Sequence, residues 1–235
     1  VQSALQRVAA GVAAGRLVPL PTVSYSLASA AAALRQMSQA RHVGKVVVSS
    51  SLSSKPAAGL GRAVVTGGLG ALGQLVSGWL VMHGAQQVQL LGRSARVTAG
   101  SVEVMCAASS SQVIISQCDA GSSEDLAAVL STQGQLLPVE LIIHAGGVLA
   151  DATLLQQQLP GVRAVAAAKL SPLPVLLAAS QHQPVRSVVL FSSVASLLGS
   201  PGQSNYAAAN AGLDAAAQAS QAAGIPVVSV QWGAW

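Results

Sequence analysis

The pattern Gly68-x-Gly70-x-x-Gly73, set directly behind an apolar run at residues 63–66, restricts this chain more than any other feature. A short continuous apolar run of that kind makes a buried parallel strand, and glycines at this spacing make the turn that follows it. The backbone there must reverse sharply, approach a pyrophosphate with no Cβ in the way, and let the next helix pack against the strand. The helix N-terminus then points its free N–H groups at the anion. Leu72, Leu75, Val76, Trp79 and Leu80 keep helical spacing, Gly84 ends that helix, and residues 88–91 read as a second strand. The segment is a βαβ opening.

Where an NAD-binding protein places an acid on the ribose 2′-hydroxyl, at the end of the second strand, this chain has Arg93 and Ser94, with Arg96 close behind. A guanidinium fork matches a 2′-phosphate, so the cofactor implied is NADPH. The predicted cradle is Thr66, Gly67, Gly68, Leu69, Gly70, Leu72 and Gly73 in the turn, then Arg93 and Ser94. Asp119, past the third strand, lies where an adenine is held, and Ala145 and Gly146 follow the fourth strand.

Charge placement agrees with a phosphate-rich ligand. Residues 1–102 hold nine Lys or Arg and no acid, whereas residues 103–235 hold three bases and seven acids. The basic residues are scattered singly among few aromatics, which excludes a nucleic-acid stacking surface. Only 8% of residues are charged, yet Pro, Ser or Gly breaks the apolar stretches, so no membrane-spanning helix or signal peptide is expected. Cys106 and Cys118 lie too far apart for a redox or zinc pair and read as reduced core residues, the usage of a cytoplasmic protein, an organelle being compatible. The chain begins with Val1, as a piece excised from a longer polypeptide would.

From residue 62 onward strands and helices alternate, the signature of an α/β, Rossmann-like doubly wound parallel sheet. Strands are expected at 113–116, 141–144, 188–191 and 227–230, and helices at 122–131 and 206–222. Residues 154–180 are helical in period but interrupted by proline. Residues 1–50 do not belong to this unit: a helix at 1–14, an extended path forced by Pro19 and Pro21, a helix at 27–37 and a strand at 46–49 form a small α/β tail. A Ser-rich linker, 51–61, joins it to the domain at 62–235.

Behind the fifth strand, Ser193 precedes Tyr206 by thirteen residues, and Asn210 stands one helical turn after Tyr206 on the same face. Together with Thr-Gly-Gly-Leu-Gly-Ala-Leu-Gly (66–73), Leu-Leu-Gly-Arg-Ser (90–94), His-Ala-Gly-Gly-Val-Leu-Ala-Asp (144–151), Gly-Gln-Ser-Asn-Tyr-Ala-Ala-Ala-Asn (202–210) and Gln-Trp-Gly-Ala-Trp (231–235), these residues carry a resemblance. The chain resembles the ketoreductase domain of modular polyketide and related fatty acid synthases, a branch of the short-chain dehydrogenase/reductase family. The resemblance implies NADPH-dependent reduction of a 3-oxoacyl thioester, presented on the phosphopantetheine of an acyl carrier protein, among other synthase domains. The stretch Gly212-Leu213-Asp214 is followed by Ala215 and not serine, so the carrier itself is not in this chain.

Most of the wider family places lysine four residues after the tyrosine. Here that position is Asn210, and the synthase ketoreductases exchange the two, so the resemblance puts the lysine at Lys169. A phenol, with an ordinary pKa of about 10, is a poor acid near neutrality unless an ammonium stabilises its phenolate. The resemblance gives Lys169 that role, Tyr206 the proton, Ser193 a hydrogen bond to the carbonyl, and Asn210 the lysine or a relay water. His144 reads as a structural histidine at a strand end.

Three departures from the family pattern set further expectations. Pro172 and Pro174 break the helix behind Lys169, each interior proline costing about 3 kcal/mol, which leaves open whether the lysine is displaced; if it is, the alternative function is a degenerate NADPH-binding scaffold. Leu149-Ala150-Asp151 is nearer the Leu-Asp-Asp of one stereochemical class, which implies a D-3-hydroxy product, while the tryptophan of the other class would stand at Leu198. The chain stops before the family's helical lid. Residues 15–21, 33–37 and 41–48 are similar to the final part of a synthase enoyl reductase, a medium-chain dehydrogenase fold that directly precedes the ketoreductase in these synthases.

Overall fold

A computed structural model describes residues 10–12, 14, 17, 21–26, 29–39, 43–49, 59–94, 96, 110–131 and 136–233. Most of the expected first helix, the linker at 51–58 and Cys106 lie outside the described residues. The chain divides into two units, Val1–Lys55 and Pro56–Trp235.

In the first unit, strand β1 (Thr22–Ser26), helix α1 (Ala30–Ser38) and strand β2 (Lys45–Ser49) make one parallel crossover, with Thr22 opposite Lys45. Gly44 turns into β2 with φ at +101°, and the carbonyl of Pro21 lies 2.0 Å from where a Cβ would stand, so only glycine fits. The sequence reading placed an extended path here but not a paired strand. Thr-Val-Ser-Tyr-Ser alternates and stays mostly exposed, so it offered no buried run to detect.

The second unit is a parallel sheet of six strands in the order β5-β4-β3-β6-β7-β8. These are β3 (Arg62–Thr66), β4 (Gln87–Gly92), β5 (Gln112–Gln117), β6 (Val139–His144), β7 (Ser187–Ser193) and β8 (Val227–Trp232). Helices α2 (Ala71–Met82), α3 (Ser123–Ser131), α4 (Leu159–Leu170), α5 (Leu173–His182), the single turn α6 (Ala195–Leu198) and α7 (Ser204–Ala222) connect them. Counted from its own first strand the order is 3-2-1-4-5-6, the doubly wound arrangement expected from the sequence. The chain reverses direction across the sheet between β3 and β6, which opens a crevice at their carboxyl ends.

Two apolar clusters flank the sheet. Val64, Leu91, Ile142, Val188 and Leu190 pack against Leu126, Leu176 and Leu213, whereas Ala63, Val65, Val88, Leu90 and Ile143 pack against Leu80 and Val81. Alternation of side chains along each strand sends successive residues to opposite clusters, so a one-residue slip would exchange the two sets and spoil the packing of both. The run Leu159–His182 is long and apolar enough by composition to cross a membrane. It is bent into α4 and α5 instead, and buries Val165, Lys169, Leu173 and Leu176 in the fold.

Candidate active site

Two adjoining cavities occupy the carboxyl edge. The larger, about 730 Å³, runs from the glycine turn past the ends of β4 and β5 to the second half of α4, lined by Gly67, Leu69, Gly70, Arg93, Ser94 and Asp119 among others. The smaller, about 240 Å³, is lined by Lys169, Ser193, Tyr206, Leu72, Phe191 and Trp232 among others. Ala145, Gly147 and Leu149 border both.

The groove is shaped for an extended anion-bearing ligand. Gly67 adopts φ of +67°, and a Cβ there would stand 2.7 Å from Gly146. A Cβ on Gly73 would stand 2.3 Å from the carbonyl oxygen of Gly67, so helix α2 can begin this close to the turn only because residue 73 is glycine. Helix α2 has no acid in its first turn, which leaves its N–H groups and dipole free to face an anion. Arg93 and Ser94 stand exposed at the end of β4. Asp119 receives the N–H of Gly121 on Oδ1 at 3.0 Å, which fixes the turn after β5.

Not every residue expected to touch a cofactor faces this groove. Thr66, Gly68 and Gly73 are buried behind it and act on its shape, and Leu72 lines the smaller cavity. The sequence reading omitted Cys118, Gly121, Val148, Ala164, Ala167 and Ala168, which also line the groove. The three alanines lie on α4 one turn apart, a small-residue face legible only once that helix is known to cross the sheet here. Burial, followed by Asp125 and Asp119, raises the Cys118 thiol to about 11, so it is an unreactive wall residue.

The smaller cavity brings together three of the four residues expected there. Lys169, buried, holds its Nζ 5.7 Å from the centroid of the Tyr206 ring and donates to the carbonyl of Phe191 at 2.7 Å. Burial pulls its pKa down from 10.5 to about 8. Ser193 ends β7 and accepts the N–H of Ala195 on Oγ at 3.2 Å, which leaves its hydroxyl hydrogen to donate elsewhere. Asn210 is different. It is fully buried outside the cavity lining, and its Nδ2 donates to the carbonyl of Tyr206 at 2.8 Å. No hydrogen bond joins it to Lys169 among the described residues, and its Oδ1 has no partner.

The prolines do not displace Lys169. Helix α4 runs to Leu170, and Pro172 and Pro174 fall at the start of α5, where a missing N–H costs least. The break expected from the sequence therefore occurs one residue beyond the lysine, not at it.

Supports around the cavity were not foreseen. Asn205 Nδ2 donates to the carbonyl of Ala150 at 2.8 Å, Gln203 Nε2 to Asp151 at 3.0 Å, and Ala152 N–H to Gly202 at 2.9 Å, which ties the segment after β6 to the start of α7. Asp214, two turns beyond Tyr206, accepts Ser196 and Ser229 hydroxyls at 2.6 Å each and Gln231 at 2.8 Å. Burial alone would raise its pKa, but these donors more than offset that and hold it below the usual carboxylate value. It thereby locks the turn behind Ser193 to α7 and β8.

Comparison with known proteins gives the family of the fold. Residues 61–235 match the family model of the KR domain, and residues 1–48 match that of zinc-binding dehydrogenases. The chain is 37% identical to the polyketide synthase GfsB of Streptomyces halstedii, over 98% of its own length and 4% of that protein's. It is 38% identical to the mycoketide-CoA synthase of Mycobacterium tuberculosis, over 94% of its length and 5% of that protein's. It thus spans a small fraction of these large multidomain relatives. Among solved structures, A-type ketoreductases from a modular polyketide synthase superpose with a TM-score of 0.72 at 34% identity, covering 79% of this chain and 40% of theirs. The first ketoreductase of the tylosin synthase gives 0.69 at 31% identity, covering 76% and 39%. By sequence and by fold, the chain belongs to the KR domain family, the nicotinamide-dependent ketoreductases of modular polyketide synthases.

Proposed function

We propose that this domain reduces a 3-oxoacyl thioester, carried on the phosphopantetheine of an acyl carrier protein, to the 3-hydroxyacyl thioester with NADPH. The observation that carries this reading is the buried ammonium of Lys169, 5.7 Å from the Tyr206 ring, in a cavity that opens beside the groove. NADPH fits that groove on three counts: the glycine cradle that a Cβ would fill, the acid-free start of α2, and Arg93 with Ser94 where the 2′-phosphate of the ribose would lie. Gly67, Leu69 and Gly70 would hold the pyrophosphate, Asp119 would border the adenine, and Ala145 and Gly146 would border the nicotinamide side. When bound, the nicotinamide supplies the hydride.

The chain's own residues handle position and the proton. Ser193 donates its free hydroxyl hydrogen to the substrate carbonyl oxygen, which fixes the carbonyl and stabilises charge developing there. Tyr206 Oη then gives its proton to that oxygen, and the ammonium of Lys169 stabilises the phenolate left behind. Asn210, fully buried and outside both cavities, supports Tyr206 from behind through the bond of its Nδ2 to the Tyr206 carbonyl. The acyl carrier protein and neighbouring synthase domains as partners are supported by the multidomain relatives. The test is NADPH consumption by the full-length protein with a 3-oxoacyl thioester. Tyr206→Phe is expected to lower the rate by at least about 10²-fold, the low end for a lost general acid; undiminished turnover in that variant would refute the reading.

A further inference from the structure

Lys169 reaches the cavity from a helix that ends at the next residue, Leu170. Residues 172 and 174 are prolines without an N–H, so the carbonyls of Ala168 and Leu170 cannot receive the bonds an unbroken helix would give them. The carbonyl between them, that of Lys169, lies 3.0 Å from Nε2 of His144. A carbonyl can only accept, so Nε2 carries the hydrogen and Nδ1 holds a lone pair. Nδ1 in turn faces the hydroxyl of Thr66 at 2.5 Å, and that hydroxyl is the donor. Both partners require the same neutral tautomer. Burial, and next the ammonium of Lys169, keep it neutral by lowering the His144 pKa to about 4, against the smaller opposing effect of its bond to the Lys169 backbone.

Thr66 is the last residue of β3, immediately before the glycine turn, and His144 is the last residue of β6. The imidazole therefore joins the two central strands, at the point where the crevice opens, to the backbone that carries the ammonium. It lines neither cavity, so it does not reach substrate or cofactor. Gly147 adds to the constraint, since a Cβ there would stand 3.1 Å from Cε of Lys169. The lysine stem is thus confined from the front while its carbonyl is held from behind.

We propose that His144 is a positioning residue for Lys169: it ties the broken end of α4 to the end of β3 and so sets where the ammonium stands over Tyr206. This rests on the role given to Lys169 above. It also explains how the chain tolerates Pro172 and Pro174 without losing the lysine.

The test uses His144→Phe, which keeps the bulk of the ring and removes both bonds, and His144→Gln, which returns a donor toward the Lys169 carbonyl. Both are made in the full-length protein and checked for folding by circular dichroism. The first measurement needs no turnover: acylation of Lys169 by an amine-reactive ester across a pH series, read by mass spectrometry. His144→Phe is expected to move the midpoint up toward the ordinary lysine range, and His144→Gln to leave it near that of the unaltered protein. The second is kcat against KM for the thioester. A displacement of about 1 Å costs on the order of 10²-fold in rate, so kcat is expected to fall by that factor in His144→Phe, with KM little changed and most of the loss restored in His144→Gln. An unmoved midpoint together with kcat within about threefold would overturn the proposal. Should His144→Phe fail to fold, Thr66→Val cuts the far bond only, and an unmoved Lys169 midpoint there overturns it as well. Absence of turnover in the unaltered protein would count against the proposed reaction and leave the labelling result to decide on His144.

Discussion

Raising the pH should remove the ammonium from beside Tyr206 well before an ordinary lysine would lose its proton. Lys169 is 4% exposed, and burial lowers its pKa from 10.5 to about 8. One unit above that value about a tenth of the ammonium remains, and two units above it about a hundredth. If the ammonium stabilises the departing proton's phenolate, kcat should be flat below about pH 7 and fall about tenfold per unit beyond pH 8. The assay is NADPH oxidation at saturating 3-oxoacyl thioester across that range. Lys169→Arg separates this group from any other that titrates there, because a guanidinium stays charged at every working pH. Its rate is expected to be lower throughout, since the longer fork does not match the ammonium's position, but the alkaline fall should vanish.

Stability should move the opposite way. Between about 8 and 10.5 the unfolded chain binds more protons at Lys169 than the folded one, so folding gains free energy as pH rises. From one unit below to one unit above the folded pKa the gain is about 1 kcal/mol. Activity should therefore fall while the contribution of Lys169 to stability rises, which rules out unfolding at this group as the cause. An alkaline limb that persists unchanged in Lys169→Arg would refute the assignment of the ammonium.

Two further outcomes follow from single side chains. Arg93→Ala should raise KM for NADPH by about tenfold or more, the worth of one charge-assisted bond to the 2′-phosphate, and leave KM for NADH almost unchanged; equal effects on both would place Arg93 elsewhere than at that phosphate. Arg62 is a buried guanidinium whose Nη1 donates to Gln89 at 3.1 Å, whose Nε has no partner, and which meets no acid among the described residues. Arg62→Met removes a desolvated charge at some cost in the Gln89 bond, and should raise stability by about 1 kcal/mol, or about 3 °C in Tm; a lower Tm would show that the charge is compensated.

The sequence made the sheet legible because parallel strands buried on both faces must be short apolar runs, and residues 63–66, 88–91, 141–144 and 188–191 are such runs. The glycine turn was equally plain, since the backbone at Gly67 and Gly73 leaves no room for a Cβ. Strand ends were harder to read. Strand β7 continues through Ser192 to Ser193 and β8 through Gln231 to Trp232, past the runs legible in the sequence, and both last residues line the smaller cavity. The exposed strand at Thr22–Ser26 carried no apolar run at all. The proline break was legible as a break, but whether it moved Lys169 was not. That depended on an acceptor and a donor 25 residues apart in sequence, Lys169 and His144, being brought together by a sheet order that no local pattern encodes.

The same dependence explains why the candidate site residues could be named while the partners of their supports could not. Ser193 and Tyr206 stand thirteen residues apart in motifs that resemble the family's, and the same resemblance put the lysine at Lys169. Asp214, Asn205 and His144 are ordinary polar residues until the fold gives them partners: Asp214 matters because β8 and the turn after β7 both arrive at α7, and His144 because β6 lies against β3. The registers Thr66↔His144 and His144↔Leu190 set the ends of β3 and β6 level with each other, while β7 runs on past Leu190 to Ser193. The reaction proposed for Lys169 and Tyr206 depends on that register, since the lysine is anchored to two of those strands at once, to β6 by its backbone carbonyl on His144 and to β7 by Nζ on the carbonyl of Phe191. A shift of one residue in the pairing of β6 would carry the lysine's anchor to the wrong face of the strand, and the apolar clusters on either side are what forbid it.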